Sequence, residues 1–393
     1  MLVFIVGLFS IPVLMLLVEV VAALRPVKEK PVELSAPKAI GCVAVVVPAH
    51  NESNGIIPTL HDLFPQLGDR DTLLVIADNC TDDTAVVAAA AGAEVVVRND
   101  PEKIGKGYAM ARAISHLAKN APDFVLFIDA DCRVQSDLVE KLRMVCSSIR
   151  RPVQALDLMT SAENSEVNQK LSEFAWTIKN FARPLGLRIL NRSVQLMGTG
   201  MIFPWELISA VPLATGHVAE DLKLGVELAA AGKPAHFFPF VKVTSHFPTT
   251  VKASETQRLR WIQGHLATML RSVPRLATLA IKRRDLDLFV LALDLLIPPL
   301  SLLGVLTAGI FGLTILAALG GMGMLPLLLA TANLVLLSAV IVLAWWKFGR
   351  EILPLSKGPK VARSMLNKLE VYSRLIAGRT AGQWVRTDRS KMK

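Results

Sequence analysis

The feature that most constrains this chain is a long apolar run towards its carboxyl-terminal end. The run extends from Leu288 to Trp346, and Asp294 is its only charged side chain. About 20 apolar residues suffice to cross the hydrocarbon layer of a bilayer, so this run is long enough to do so twice. Only 19% of all residues are charged, below the roughly 25% of soluble domains. We therefore predict two transmembrane helices within residues 288–346.

Pro298 and Pro299 interrupt the apolar run, and a glycine-rich stretch follows further along. We expect helices near 290–318 and 325–346, joined by a short uncharged loop. The alternative is that the proline pair separates an interfacial segment from a shorter span that begins near Leu300. Both arrangements give the same topology.

A second apolar segment lies at the amino terminus. Residues 2–24 are long enough to span a bilayer, and we predict an N-terminal transmembrane anchor over residues 1–24. A cleaved signal peptide is the alternative, but no basic residues precede the apolar run. Arg25, Lys28 and Lys30 follow it, which by the positive-inside rule places the next residues in the cytosol.

The net charge of +10 is concentrated around the long apolar run. Residues 250–284 carry eight basic groups and one acidic group, and residues 347–393 carry twelve and three. We expect a basic interfacial segment over 271–287 and a basic, amphipathic cytosolic tail over 347–393, both suited to anionic membrane lipids. Nucleic acid is not expected as a partner, because its binders carry basic residues on the folded domain itself. The four cysteines lack metal-site or disulfide spacing, which fits a reducing cytosol.

Strand-like and helix-like patterns alternate between the apolar segments. Near-continuous apolar runs such as CVAVVV, TLLVIA and FVLFI each end in polar residues, and helical patterns separate them. This alternation predicts an α/β domain with a buried, mostly parallel sheet, whose ligands bind at the carboxyl ends of the strands. We place this cytosolic domain at residues 40–270, after a linker at 25–39.

Acidic residues follow several of these predicted strands. Asp78 follows the run TLLVIA, and Asp129 and Asp131 follow the run FVLFI. Carboxylates gathered at one sheet edge repel each other unless a cation or hydrogen-bond donors offset the repulsion. Alternate residues of an extended chain face the same way, so Asp129 and Asp131 can bind one hard divalent cation. A solvated loop is the alternative, because such a short motif occurs often by chance.

Glu220 and Asp221 open a later helical stretch. A carboxylate there could take the proton of an acceptor hydroxyl as general base. Acidic residues in the first turn of a helix also complement the helix dipole, and this alternative stays open.

Gln257, Arg260 and Trp261 fall on one face of a predicted helix, at positions i, i+3 and i+4. An amide, a guanidinium and an indole on one face can bind a diphosphate and stack on a sugar ring. The alternative is an interfacial helix whose Arg and Trp lie in the headgroup layer.

In this order and with these intervals, the motifs resemble the processive-type family 2 glycosyltransferases, relatives of cellulose, chitin and hyaluronan synthases. The resemblance covers about residues 40–270. It is carried by PAHNE at 48–52, Asp78 in ADN, GKGYA at 105–109, DAD at 129–131, GTG at 198–200, ED at 220–221 and QRLRW at 257–261.

The resemblance implies a fold of the glycosyltransferase A type and a nucleotide-sugar donor, with a UDP-sugar as the expected kind. It implies Mg²⁺ or Mn²⁺ coordinated by Asp131, with Asp129 placed against either the metal or the ribose, and Asp221 as the catalytic base. The implied donor-binding residues are Pro48, Ala49, Glu52, Asp78, Lys106, Asp129, Gln257 and Arg260. The implied acceptor-binding residues are Gly198, Thr199, Gly200, Glu220 and Trp261.

The expected function is that of a membrane-anchored, inverting glycosyltransferase of the hexosyltransferase type. Its acceptor would be a lipid-linked, glycolipid or polysaccharide molecule of cell-surface glycan synthesis. Three spans are few for a polymer channel, which disfavours processive synthesis and export, although a dimer or partner subunits of a polysaccharide assembly system could complete a pore. The alternatives of other kinds are a non-catalytic membrane protein that binds nucleotide-sugars or glycans, and a nucleotidyltransferase. We expect a multi-pass protein of a bacterial cytoplasmic membrane with its catalytic domain in the cytosol.

Overall fold

The computed structural model describes residues 1–28, 41–163, 165–248 and 251–357, and of residues 251–255 it describes the helical backbone only. Most of the predicted linker at 25–39 and of the predicted tail at 347–393 lies outside these residues. The chain divides into two compact units. Each unit is described by itself below.

Eight strands and thirteen α-helices are found among the described residues. The strands are β1 (Val43–Ala49), β2 (Thr72–Asp78), β3 (Glu94–Arg98), β4 (Phe124–Phe127), β5 (Arg133–Val134), β6 (Val153–Thr160), β7 (Met201–Pro204) and β8 (His236–His246). The helices are α1 (Leu2–Ala23), α2 (Ile56–Leu63), α3 (Thr84–Ala90), α4 (Lys106–Leu117), α5 (Leu138–Ile149), α6 (Val167–Thr177), α7 (Arg183–Ile189), α8 (Trp205–Ile208), α9 (Glu220–Ala230), α10 (Val251–Arg283), α11 (Leu286–Leu295), α12 (Leu300–Leu319) and α13 (Leu325–Ala344).

One unit comprises Lys28–Thr160 and Ser193–Gly264 and contains the whole sheet. The strand order is β3-β2-β1-β4-β7-β6-β8-β5. Strands β1 to β4 run parallel to one another, and β6 runs parallel to β8. Strand β7 is antiparallel to both β4 and β6, and β5 is antiparallel to β8. The sheet is therefore mixed and mostly parallel, which confirms the predicted α/β fold class.

The central strands are apolar along their whole length because both faces of the sheet are covered. Residues Val43–Val47 of β1 and Phe124–Phe127 of β4 are buried throughout. Such continuous burial is typical of parallel strands between two helical layers. A cluster of buried residues from β1, β4, β6 and β8 packs against α2 and α5 and forms the core under one face.

The strand ends that carry the polar residues close with tight turns. Asn51 after β1 and Asn79 after β2 have positive φ angles of 55° and 51°. Asparagine tolerates this left-handed conformation better than most residues. The two turns are joined, because the Thr81 N–H donates to the side-chain oxygen of Asn51 at 2.7 Å and the Glu52 N–H donates to Thr84 Oγ1 at 2.8 Å.

The other unit comprises Met1–Val27, Ser161–Arg192 and the described part of His265–Ala381. Within the described residues three helices are long and apolar enough to cross a membrane. They are Leu2–Ala23, Leu300–Leu319 and Leu325–Gly349.

The prediction of one continuous helix near 290–318 is wrong for its first residues. Helix α11 ends at Leu295 and α12 begins at Leu300, so the proline pair at 298 and 299 separates them. Proline lacks the N–H that a helix interior needs and disfavours a helical residue before it. The arrangement found is the alternative in which a shorter apolar helix begins at Leu300.

A buried ionic cluster joins three helices of this unit. Arg183 of α7 donates through Nε to the Glu19 carboxylate of α1 at 2.9 Å. Its Nη2 atom donates to the backbone oxygen of Asp294 in α11 at 2.8 Å and also contacts the Asp294 carboxylate. All three side chains are at least nine-tenths buried. The charged residue of the long apolar run is thus paired with an arginine from a distant segment.

Candidate active site

The central contact of the candidate site is made by Lys106, the first residue of α4. Its ammonium group contacts the Asp129 carboxylate and donates to the backbone oxygen of Gly198 at 2.8 Å. Asp129 lies two residues after the end of β4, and Gly198 lies three residues before β7, the neighbouring strand. Three of the predicted site residues, from separate segments of the sequence, are therefore in contact.

Helix α9 brings two further carboxylates to this place. Asp221 faces Gly198, because a Cβ atom built on Gly198 would lie 3.5 Å from Asp221 Oδ2 and 3.9 Å from Lys106 Nζ. Burial and the neighbouring Asp221 charge raise the pKa of Glu220 to about 7, although Lys106 acts to lower it. Burial lowers the pKa of the Lys106 ammonium, but Asp129, Glu220 and Asp221 outweigh this, and the resulting pKa is above its ordinary value.

Arg260 of α10 lies within electrostatic range of Glu220. Burial lowers the pKa of its guanidinium, and the Glu220 charge offsets part of that effect. Gln257 is buried and Trp261 is half-buried on the same helix. Donor binding by Gln257 and acceptor stacking by Trp261 stay predictions.

Thr199 and Gly200 make hydrogen bonds with the backbone of the segment that carries Asp129. The Asp129 N–H donates to Thr199 Oγ1 at 3.1 Å, and the Gly200 N–H donates to the backbone oxygen of Phe127 at 2.9 Å. Thr199 is buried, and Gly200 has a positive φ angle of 67° with little room for a side chain. Both residues therefore hold the backbone around Asp129, and their contact with an acceptor stays a prediction.

The loop that leads into α9 packs on the first turn of α4. A Cβ atom on Gly107 would lie 2.6 Å from the backbone oxygen of Thr215, and one on Gly105 would lie 3.5 Å from the Cα atom of Gly216. Within this loop the Ala219 N–H donates to His217 Nδ1 at 3.1 Å. The two glycines that flank Lys106 thus let the chain before Glu220 approach closely, which fixes both segments relative to each other.

A second polar cluster lies at the ends of β2 and β3. Arg98 Nη1 donates to Asp78 Oδ1 at 2.5 Å, and its guanidinium lies 5.3 Å from the centre of the Tyr108 ring. His50 Nδ1 lies 2.7 Å from the backbone oxygen of Asp78. Burial raises the pKa of Asp78 despite the lowering effect of Arg98. Arg98 and Tyr108 are not among the predicted site residues, although Tyr108 belongs to the GKGYA segment.

Three of the predicted donor-binding residues lie at the end of β1, beside this second cluster. Pro48 and Ala49 are paired in register with Ile76 and Ala77 of β2. The Glu52 backbone is tied to Thr84, as described above. Nucleoside binding by Pro48, Ala49, Glu52 and Asp78 stays a prediction.

The residues present fit the divalent cation that the sequence predicts. Among the described residues no group of three or more His, Cys, Asp and Glu side chains surrounds one point. Mg²⁺, however, commonly uses only one or two protein carboxylates and takes other oxygens from substrate phosphates and water. Asp129 and Asp131 are the two carboxylates predicted for this role, and metal binding by them stays a prediction. The Asp129 side chain is 37% exposed, so it is open to a ligand.

Residues 39–264 match the family described as glycosyltransferase like family 2. The match covers more than half of the chain. The chain belongs to this family.

Two curated proteins are similar in sequence to parts of this chain. Glucosyl-3-phosphoglycerate synthase of Mycobacterium tuberculosis is 32% identical over 208 residues, which cover 48% of this chain and 61% of that protein. The probable glycosyltransferase YdaM of Bacillus subtilis is 26% identical over 279 residues, covering 64% and 62%. The chain thus covers less than two thirds of the length of these relatives.

A solved structure resembles a larger part of the chain. The mannosyltransferase PcManGT from Pyrobaculum calidifontis, in complex with GDP-Man and Mn²⁺, is 16% identical and has a TM-score of 0.50. The similarity covers 88% of this chain and 100% of PcManGT. It supports the glycosyltransferase A type of fold, with a mostly parallel sheet and flanking apolar helices.

Proposed function

We propose that this chain is an inverting glycosyltransferase that transfers a hexose from a nucleotide-sugar, of the UDP-sugar kind, to an acceptor held at the membrane. The observation that carries the proposal is the meeting of Lys106, Asp129, Gly198, Glu220 and Asp221 in one site. A cationic side chain, a cation-binding carboxylate and two further carboxylates are the groups that this reaction needs. Family membership supports the same reaction class.

Asp129 and Asp131 would hold Mg²⁺ or Mn²⁺, and the bound ion would supply positive charge to the diphosphate of the donor. The Mn²⁺ in the PcManGT complex supports this choice of metal. Arg260 and Lys106 would add positive charge from the protein, and Gln257 would add a neutral hydrogen-bond donor. The leaving nucleoside diphosphate would be stabilised by these groups as the sugar departs.

Asp221 is the proposed catalytic base. Its carboxylate would accept the proton of the acceptor hydroxyl while that oxygen attacks the anomeric carbon and the bond to the diphosphate breaks. One displacement from the opposite face inverts the anomeric carbon. Glu220, beside Asp221, would carry a proton up to about pH 7 and so reduce the repulsion between the site and the incoming diphosphate.

The donor nucleoside and the acceptor would bind at different parts of the site. The nucleoside of the donor would bind at the strand ends that carry Pro48, Ala49, Glu52 and Asp78. The acceptor would bind along Gly198 and Glu220, with Thr199 and Gly200 behind it and Trp261 as an aromatic platform.

Membrane attachment of the enzyme is supported by its apolar helices and by α10. Leu270 and Ile281 of α10 are 72% and 73% exposed, and Arg271 and Lys282 stand beside them. Exposed apolar side chains next to basic ones fit the interface of an anionic leaflet. We therefore keep the predicted order of an anchor at 1–24, a cytosolic catalytic domain at 40–270, an interfacial segment at 271–287 and two spans within 288–346.

Acceptor and processivity remain part of the proposal. The name of one relative, glucosyl-3-phosphoglycerate synthase, specifies a phosphoglycerate acceptor, whereas the names of the other two specify none. We propose a lipid-linked acceptor because the chain carries three helices of membrane-spanning length. Transfer of single sugars is preferred to processive synthesis for the same reason, since three helices are few for a polymer channel.

The test uses membranes that contain the full chain, labelled UDP- and GDP-sugars, and Mn²⁺. We expect release of a nucleoside diphosphate and transfer of label to a lipid fraction, identified by mass spectrometry. Membranes with the Asp221→Asn variant serve as the matched control. Donor binding without turnover would favour a receptor, and release of pyrophosphate would favour a nucleotidyltransferase. Label in a long polymer would indicate a processive synthase. Labelled phosphoglycerate would indicate a soluble acceptor.

A further inference from the structure

Lys106 and the metal site share one carboxylate. The Lys106 ammonium contacts Asp129 and the Gly198 backbone oxygen, and its side chain is only 20% exposed. The same Asp129 carboxylate belongs to the proposed metal pair. The ammonium group of Lys106 and a divalent cation from the solvent would therefore bind the same carboxylate.

Two cations bound to one carboxylate repel each other. At contact distances this repulsion is large inside a protein, where the effective dielectric constant is well below that of water. The Lys106 ammonium is held at this carboxylate by its contact with Asp129 and its hydrogen bond to the Gly198 backbone oxygen. A divalent cation that binds Asp129 therefore has to displace the ammonium group from it.

The surroundings of Lys106 restrict that movement to the side chain. Gly105 and Gly107 hold the backbone on both sides against the loop at 213–219. The four-carbon stem of a lysine is flexible, and its ammonium can exchange one anionic partner for another by rotation. The diphosphate of the donor is such a partner.

We propose that Lys106 competes with the divalent cation for Asp129 and gives up this carboxylate only when a donor diphosphate offers it another anion. The inference rests on the proposed function, because it assumes the metal pair Asp129 and Asp131. Its consequence is an order of binding: the metal binds weakly to the protein alone and tightly together with the nucleotide. Lys106 thus determines metal affinity in addition to contacting the donor.

The experiment measures Mn²⁺ binding to the purified full chain through the electron paramagnetic resonance signal of free Mn²⁺, with and without UDP. Lys106→Met removes the competing charge, and Lys106→Gln is a second neutral variant in case the first does not fold. Lys106→Arg keeps the charge. Lys103→Met, three residues earlier at an exposed position, is the matched control.

Without UDP, we expect both neutral variants to bind Mn²⁺ about tenfold more tightly than the wild type or more, because a contacting positive charge is gone. Lys106→Arg and Lys103→Met should bind Mn²⁺ as weakly as the wild type. UDP should tighten Mn²⁺ binding more in the wild type than in the neutral variants. Measurable Mn²⁺ binding that the neutral variants leave unchanged or weaken would overturn the competition but not the proposed function. No Mn²⁺ binding by any variant, even with UDP, would overturn the metal site itself.

Discussion

Gly107 lies so close to Thr215 that a Cβ atom on Gly107 would be 2.6 Å from the Thr215 backbone oxygen. Real Cβ atoms do not approach an oxygen this closely, so either α4 or the loop at 213–219 must shift if a side chain is added. The contact couples the segment that carries Lys106 to the loop that leads into Glu220 and Asp221.

Gly107→Ala should therefore lower turnover by about tenfold or more, because small displacements of catalytic groups have large effects on rate. Its stability should fall by about 1–3 kcal/mol, as for other overpacked sites. Gly68→Ala is the control, since the nearest atom to its Cβ would lie at an ordinary 3.6 Å. Thermal unfolding and sugar transfer of both variants provide the check, and equal behaviour of the two would contradict the coupling.

The pH dependence of stability should report the pKa of Glu220. The ordinary pKa of a glutamate is 4.5, and the pKa of Glu220 in the folded protein is raised to about 7 because burial and Asp221 disfavour the charged form of Glu220. The group's contribution to stability is therefore complete below pH 4.5, declines between pH 4.5 and 7, and is lost above pH 7.

Glu220→Gln, which resembles the protonated acid, should remove this decline and be about 1–3 kcal/mol more stable than the wild type above pH 7. Lys106, Asp129, Asp221 and Arg260 are the other charged groups that act on this position. Unfolding temperatures between pH 4.5 and 8 test the prediction. Parallel curves for wild type and variant would count against it.

Arg98 should matter for donor binding through Asp78. Arg98→Met leaves the buried Asp78 carboxylate without its ion pair, so Asp78 should become protonated nearer to neutral pH and lose its value as a hydrogen-bond acceptor for the donor. We expect UDP affinity to fall about tenfold, the loss of one charge-assisted hydrogen bond. Calorimetric titration with UDP measures the effect. Arg112→Met, at an exposed position of α4, should bind UDP like the wild type.

Arg183→Met should destabilise the unit that contains the apolar helices. The substitution leaves Glu19 and Asp294 buried without their shared cation, and breaking such a buried pair costs about 3–5 kcal/mol. The exposed pair of Arg150 and Glu206 offers a contrast, since Glu206→Gln should cost less than about 1 kcal/mol. Thermal unfolding of the detergent-purified full chain compares the two. A loss of similar size in both variants would argue against the buried cluster as a stabilising contact.

The parallel part of the fold could be predicted from the sequence because its signals are local. Strands β1, β2 and β4 contain continuous apolar runs, β3 contains the apolar run VVV, and turn residues follow each of the four strands. The other part of the sheet was not predicted. Strand β5 has only two residues, which is too short for a sequence pattern. Strands β6 and β8 pair with a shift of register between Ala155 and Leu156, which neither segment shows by itself.

The site was predicted as a set of residues but not as a set of contacts. Asp129, Asp221 and Lys106 belong to recognisable motifs, and the structure brings them together. The ion pair of Arg98 with Asp78 depends on the register of β2 and β3, in which these two residues are direct partners. The pairing of Asp294 with Arg183 joins positions far apart in the sequence. Register and long-range side-chain pairing are not encoded in any local pattern, which is why both were missed.

Asp221 is proposed to take the proton of the acceptor hydroxyl in the transfer reaction. The most direct measurement compares Asp221→Asn with the wild type for both UDP binding and nucleoside diphosphate release, with Asp69→Asn as a control at an exposed loop position. We predict that Asp221→Asn binds UDP like the wild type but loses turnover by about 10²-fold or more, the range of general-base catalysis. Near-normal turnover by Asp221→Asn would contradict the account.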